Sequence, residues 1–185
     1  MTRTWLLAVL GLTLLAWAGE GAAQDAKSRV VEIDGMKGTV PNDWVIEKPA
    51  NRLRFLQFKL PKAKDDAVDA ELIVNKGIGG SPEANIKRWK EQFVPPTGKT
   101  LDDVSKVVEM KIGKNKAWYL DASGTYKYKE APFDPKAKEE LRPNQRMLGI
   151  HYEGGDDPYH FKLVGPAKTV EEHKKAFDDW IKSFK

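Results

Sequence analysis

The chain has 185 residues, with 31 Lys and Arg against 27 Asp and Glu, a net charge of +4, and no cysteine. The missing thiols exclude disulfides, thiolate metal sites, cysteine nucleophiles and a lipobox lipid anchor. Opposite charges are interleaved, as in residues 62–69 and 171–175, a pattern of solvated surface that argues against a nucleic-acid footprint.

At the start, Arg3 precedes an uncharged run of 14 residues from Trp5 to Ala18, which Glu20 ends before Gly21-Ala22-Ala23. A membrane span needs about 20 apolar residues, so this order predicts a secretory signal peptide over 1–23, cleaved after Ala23. The remainder, 24–185, is expected to be one released, soluble, monomeric domain, periplasmic or secreted.

Strands are predicted over 30–33 and 36–40 around Asp34-Gly35, a dipeptide that tolerates the positive φ of a tight hairpin turn. Pro41 to Trp44 turns the chain. Two further strands, 53–60 and 70–75, flank a charged loop. A helix is expected over 81–93, with Ser81 as cap, Pro82 in the first position, Glu83 facing the positive end, and Ile86, Trp89 and Phe93 as its apolar stripe. Val94-Pro95-Pro96 stops it. Strands over 104–112 and 116–128 follow, and Gly124 marks a bulge or a close backbone approach.

Residues 129–144 are charged, contain Pro and show no period, so they read as a 16-residue loop, either a partner-binding segment or disorder. Strands over 145–153 and 158–164 flank Gly154 to Asp157. Centring the turn on Gly155-Asp156 sets Leu148 against Leu163, Ile150 against Phe161, and Tyr152 against Tyr159. A slip of one residue would destroy all three apolar pairs. Thr169-Val170-Glu171-Glu172 reads as a capping box opening the last helix. Val170, His173, Phe177, Trp180, Ile181 and Phe184 form its buried stripe. The fold class is α+β: a largely antiparallel sheet of about 6–8 strands with two main helices packed on it.

The opening hairpin before Pro41-x-x-Trp44, the Ser-Pro-Glu helix carrying Trp89, the stretch Tyr159 to Pro166, and the closing Ile181-Lys182-Ser183-Phe184 together resemble the PsbP-like fold. The resemblance spans nearly all of 24–185 and implies an α/β/α sandwich in an exported bacterial protein. Members of that fold include an extrinsic photosystem II subunit and a nuclear import factor that binds a small GTPase. They share an accessory character and no common site, so the resemblance assigns no residue roles.

Three groups of residues carry candidate chemistry. Gly79, Gly80 and Ser81, between a strand and a helix, are candidates for anion binding through backbone N–H groups, although no dinucleotide or P-loop pattern is complete. Glu83 occupies the place where a nucleophile elbow requires glycine. His151 and His160 fall opposite each other in the derived register and are candidate metal ligands. With only two nitrogens, the expectation is partly exposed strand histidines without metal. Tyr119, Tyr126, Tyr128, Tyr152 and Tyr159, with Trp44 and Trp118, are candidates to line one concave sheet face, or else belong to the core. Together these features point to a non-catalytic accessory or binding module without a cofactor, whose partner is an unknown protein or small ligand. The alternative is a small-ligand or metal-binding domain. A cleft with convergent polar groups distinguishes the ligand binder.

Overall fold

Asp34 and Gly35 both take positive φ, 54° and 77°, and make the tight turn that their side chains permit. Around it Val30–Ile33 (β1) pairs with Met36–Thr39 (β2), Ile33 opposite Met36. The computed structural model describes residues 29–130 and 136–185, so the signal segment lies outside the described residues. Next come Val45–Glu47 (β3), Arg54–Leu60 (β4), Ala70–Lys76 (β5), and helix Pro82–Lys90 (α1). Phe93–Val94 (β6), Ser105–Ile112 (β7), Asn115–Tyr128 (β8), Glu140–Tyr152 (β9) and Tyr159–Pro166 (β10) lead into helix Ala167–Ser183 (α2).

β3 to β10 form one eight-stranded antiparallel sheet ordered β3-β4-β5-β10-β9-β8, with β6 and β7 both on the far edge of β8. β9 and β10 pair in the register that the apolar residues demand, with Leu148, Ile150 and Tyr152 opposite Leu163, Phe161 and Tyr159. Because side chains alternate, those residues share one face with Phe58, Leu72 and Val74. There α2 and the β1–β2 hairpin close the main core. Ile86 and Trp89 of α1, with Phe93, pack on the opposite face against Leu120, Ala122, Tyr126 and Met147. The two helices therefore sandwich the sheet.

Trp180 is the hub of the main core. It is 2% exposed and meets Trp44, Phe58, Phe161 and Phe184 at ring-centroid distances of 5.1–5.9 Å. The hairpin docks closely because residue 38 is glycine: a Cβ there would lie 2.8 Å from the Phe184 ring.

Four local expectations are corrected. Thr169 is no N-cap: α2 begins at Ala167, directly after Pro166 of β10, and Thr169 lies inside its first turn. Asp66 supplies the cap from the 61–69 loop, its Oδ2 accepting from the Thr169 N–H (2.9 Å) and Oγ1 (2.6 Å). Thr169 Oγ1 in turn accepts from the Ala63 N–H at 3.0 Å. α1 stops at Lys90, and Phe93 keeps its place in the apolar cluster as part of β6, opposite Tyr126. Residues 140–144 are not loop but the start of β9, pairing with the end of β8. Pro143 and Asn144 are accommodated where the register shifts between Gly124 and Tyr126, with Asn144 at a φ of 54°. Gly124 also meets its expected close approach: a Cβ would sit 2.9 Å from the Val94 carbonyl oxygen. Residues 131–135 of the expected loop lie outside the described residues. Finally, β3 joins the sheet directly after the turn that ends at Trp44.

Trp180→Ala is expected to cost about 3–5 kcal/mol, since it removes apolar area and leaves a cavity among four rings. Asp66→Ala is expected to cost about 0.5–2 kcal/mol through the lost cap. Denaturant midpoints of the two variants check both, and an unchanged midpoint for Asp66→Ala would contradict capping from the loop.

Candidate functional site

The face of the sheet opposite α2 carries a line of polar groups, and β10 explains why. Its sequence Tyr159-His-Phe-Lys-Leu-Val sends every second side chain away from the core, so His160 and Lys162 project side by side on the α1 face. On β9 the matching positions are His151 and Gly149. Gly149 makes room for α1: a Cβ there would lie 2.9 Å from the Trp89 ring, so the indole rests directly on the strand.

His151 and His160 meet as their register predicts, with Nδ1 of His151 and Nε2 of His160 2.8 Å apart in a shared hydrogen bond. They are not partly exposed: each is 2% accessible, because α1 covers this face. Trp89 stands edge-on to His160 at 5.2 Å between ring centroids, and Trp118 covers His151 at 5.9 Å. Burial depresses both imidazoles, His160 to about 3, where His151 and Arg88 add to the effect. One ring donates and the other accepts, so the hydrogen bond suits a pair of neutral imidazoles. Among the described residues, no group of three or more His, Asp or Glu side chains is placed to hold a metal ion. His173, on the buried side of α2, donates from Nε2 to the Pro61 carbonyl at 2.8 Å.

Beyond the histidines lies Lys162. Its Nζ donates to Gln92 Oε1 at 2.6 Å and to the Tyr126 hydroxyl at 2.8 Å. Desolvation of the ammonium brings Lys162 down to about 7 despite the opposing pull of Glu71, and Arg88 and Arg54 add repulsion. Burial pushes Tyr126 up to about 12, so it stays a neutral phenol. Next along the face, Arg54 pairs with Glu71 at 2.6 Å and donates to Gln57 Oε1 at 2.8 Å. Gln57 passes the chain on to Glu47 at 2.9 Å, and Lys59 reaches Glu47 at 3.2 Å. This strip crosses β10, β5, β4 and β3. Tyr126, Tyr128, Glu71 and Arg142 border a depression of about 70 Å³ beside it. The Arg142 guanidinium stacks 3.5 Å from the Tyr128 ring centroid.

The glycine loop is organised around Asn85, whose Nδ2 donates to the carbonyls of Gly80 (3.1 Å) and Ser81 (3.0 Å). Ser81 Oγ accepts from the Ala84 N–H at 3.3 Å, and the Glu83 carboxylate is held below its usual range by its own backbone N–H and by Ser81. At Gly79, Gly80 and Ser81 the chain thus meets the first amides of α1 with its own acceptors. The aromatic residues do not share one face. Tyr119, Tyr152, Tyr159 and Trp44 belong to the α2 side, whereas Trp118, Tyr126 and Tyr128 belong to the α1 side, because strand alternation divides them.

No motif marks Arg54, Glu71, Gln92 or Lys162. The signal that finds Lys162 is its place two residues from His160 in an otherwise apolar strand.

No family model matches the chain, and no curated protein matches it in sequence. Solved structures do resemble it. The solution structure of cyanobacterial PsbP from Synechocystis sp. PCC 6803 is 13% identical at a TM-score of 0.47, covering 82% of this chain and 86% of that one. PA94 of Pseudomonas aeruginosa, a protein of unknown function, is 14% identical at a TM-score of 0.44, with 83% and 93% covered. LpqN of Mycobacterium tuberculosis, involved in cell envelope biogenesis, is 13% identical at a TM-score of 0.42, with 80% and 78% covered. PsbP is the family that the sequence resembles. None of these likenesses supplies a residue role.

The histidine pair sets an acid limit on stability. Its folded pKa values lie below the unfolded value of about 6.5, so the unfolded chain takes up protons that the folded chain refuses. Stability is therefore full above about pH 6.5 and falls below it, and His160 alone accounts for a loss of about 1.4 kcal/mol between pH 7.5 and 5.5. Denaturant titrations at the two pH values check this, with His160→Gln expected to start lower and to fall less steeply.

Proposed function

We propose that this chain is an exported, non-catalytic binding module that receives a small ligand on the α1 side of its sheet. One observation carries the reading: on that face Lys162, Gln92, Tyr126, Arg54 and Glu71 come together from β10, β8, β5, β4 and the turn after α1. Ligand sites combine an apolar or aromatic floor with a few well-placed polar groups, and here Tyr126 and Tyr128 supply the floor. The polar groups are positioned by one another, Arg54 by Glu71 and Gln57, and Gln57 by Glu47, a device that suits recognition. Export is supported by the order of Arg3, the apolar run and Gly21-Ala22-Ala23. No helix among the described residues is long and apolar enough to cross a membrane.

Native mass spectrometry of the protein recovered from its own envelope fraction tests this reading. The expected species begins at Gln24 and carries a small molecule that is released chemically unchanged. A chain that begins at Met1, or one that converts the released molecule on re-addition, would contradict it.

A further inference from the structure

Cations anchored in this sheet generally have carboxylate partners. Arg54 has Glu71, Arg142 has Glu140, and Arg146 has both Asp121 and Glu171. Lys162 is different. Its side chain is half-buried in the face, yet its two acceptors, Gln92 Oε1 and the Tyr126 hydroxyl, are neutral, and among the described residues it joins no ion pair. An ammonium has three protons to donate, and the described residues accept two. Taking a charge out of water is costly unless an opposite charge meets it. Glu71, the carboxylate whose charge Lys162 feels, is held at 2.6 Å by Arg54, and the guanidiniums of Arg54 and Arg88 both oppose the lysine's charge. Arg54 and Arg88 thus add positive charge around an ammonium that no carboxylate pairs.

We infer that Lys162 is the docking point for the oxyanion group, carboxylate or phosphate, of a small organic ligand whose body lies against Tyr126 and Tyr128. This rests on the binding reading above and names the chemistry its ligand must carry. The oxyanion takes the remaining ammonium proton and offsets the repulsion from Arg54 and Arg88. Tyr126, which accepts from Lys162, also borders the depression of about 70 Å³ that Tyr128, Arg142, Asp69 and Glu71 help to line, and this space admits a group of a few heavy atoms. Tyr126, a neutral phenol that already accepts from Lys162, fixes where the ammonium points.

The test uses benzoate, phenyl phosphate and the neutral analogue benzamide, titrated into the mature protein and followed by amide and side-chain NMR shifts. Saturable shifts at β5, β10, Gln92 and Tyr126 are expected with the acids, with benzamide at least about tenfold weaker, as loss of a charge-assisted hydrogen bond implies. The tighter acid identifies carboxylate or phosphate as the group read. Lys162→Met is expected to abolish acid binding while keeping the amide spectrum of the fold. Arg88→Gln alters an exposed side chain outside the core, so it serves even where Lys162→Met fails to fold, and it is expected to weaken the acids about threefold.

Equal binding of benzamide and benzoate at these residues overturns the anion site and leaves the face as a binder of neutral ligands. Acid binding that survives Lys162→Met overturns it too. Absence of any saturable shift with all three probes also overturns it, while a native small-molecule adduct would still uphold the binding reading.

Discussion

The pairing of β9 with β10 is the constraint from which the other features follow. One register puts Leu148, Ile150 and Tyr152 against Leu163, Phe161 and Tyr159 on the α2 face. The same register puts His151 against His160 and Gly149 against Lys162 on the other. A shift of one residue would exchange the faces, burying two histidines and a lysine among Trp44, Phe58 and Trp180. The cost of that exchange is what specifies the register. Gly149 adds a second lock, because only a residue without a side chain lets the Trp89 ring approach the strand and carry α1 into place.

The two faces do different work. The α2 face is a continuous aromatic and aliphatic core, and its polar groups are capping or edge contacts such as Asp66 with Thr169 and Arg146 with Asp121. The α1 face mixes an apolar cluster with groups that burial disfavours: imidazoles held neutral and an ammonium without a carboxylate. Such groups reduce stability unless they are partnered, and sites where a fold tolerates them are where function concentrates. The histidine pair satisfies itself through one shared hydrogen bond. Lys162 does not, and this difference singles it out.

Much of the architecture is legible in the sequence because it rests on local chemistry or on period. Asp34-Gly35 dictates its turn, Ser81-Pro82-Glu83 begins α1, and alternation in 145–153 and 158–164 predicts the central pairing residue by residue. The misreadings share one cause, namely contacts between residues far apart in the chain. Thr169 looks like a cap until Asp66, 103 positions away, takes that role. The histidines look half-exposed until α1 is laid over them. Residues 140–144 look like loop because Pro143 and Asn144 break the period, yet the strand tolerates them at the bulge opposite Gly124. The polar strip is the least legible element, since Arg54, Glu71, Gln92 and Lys162 come to one face only when three strands and the turn after α1 are assembled.

The account stands on the environment of a single amine, half-buried on the sheet and held by two neutral oxygens. Direct titration of the Lys162 side chain by heteronuclear NMR, following its Cε and Nζ resonances, measures that environment without any ligand. A midpoint near 7, about three units below an ordinary lysine, is the predicted result. A midpoint near 10.5 would show a solvated or ion-paired ammonium, and would contradict the site built on it.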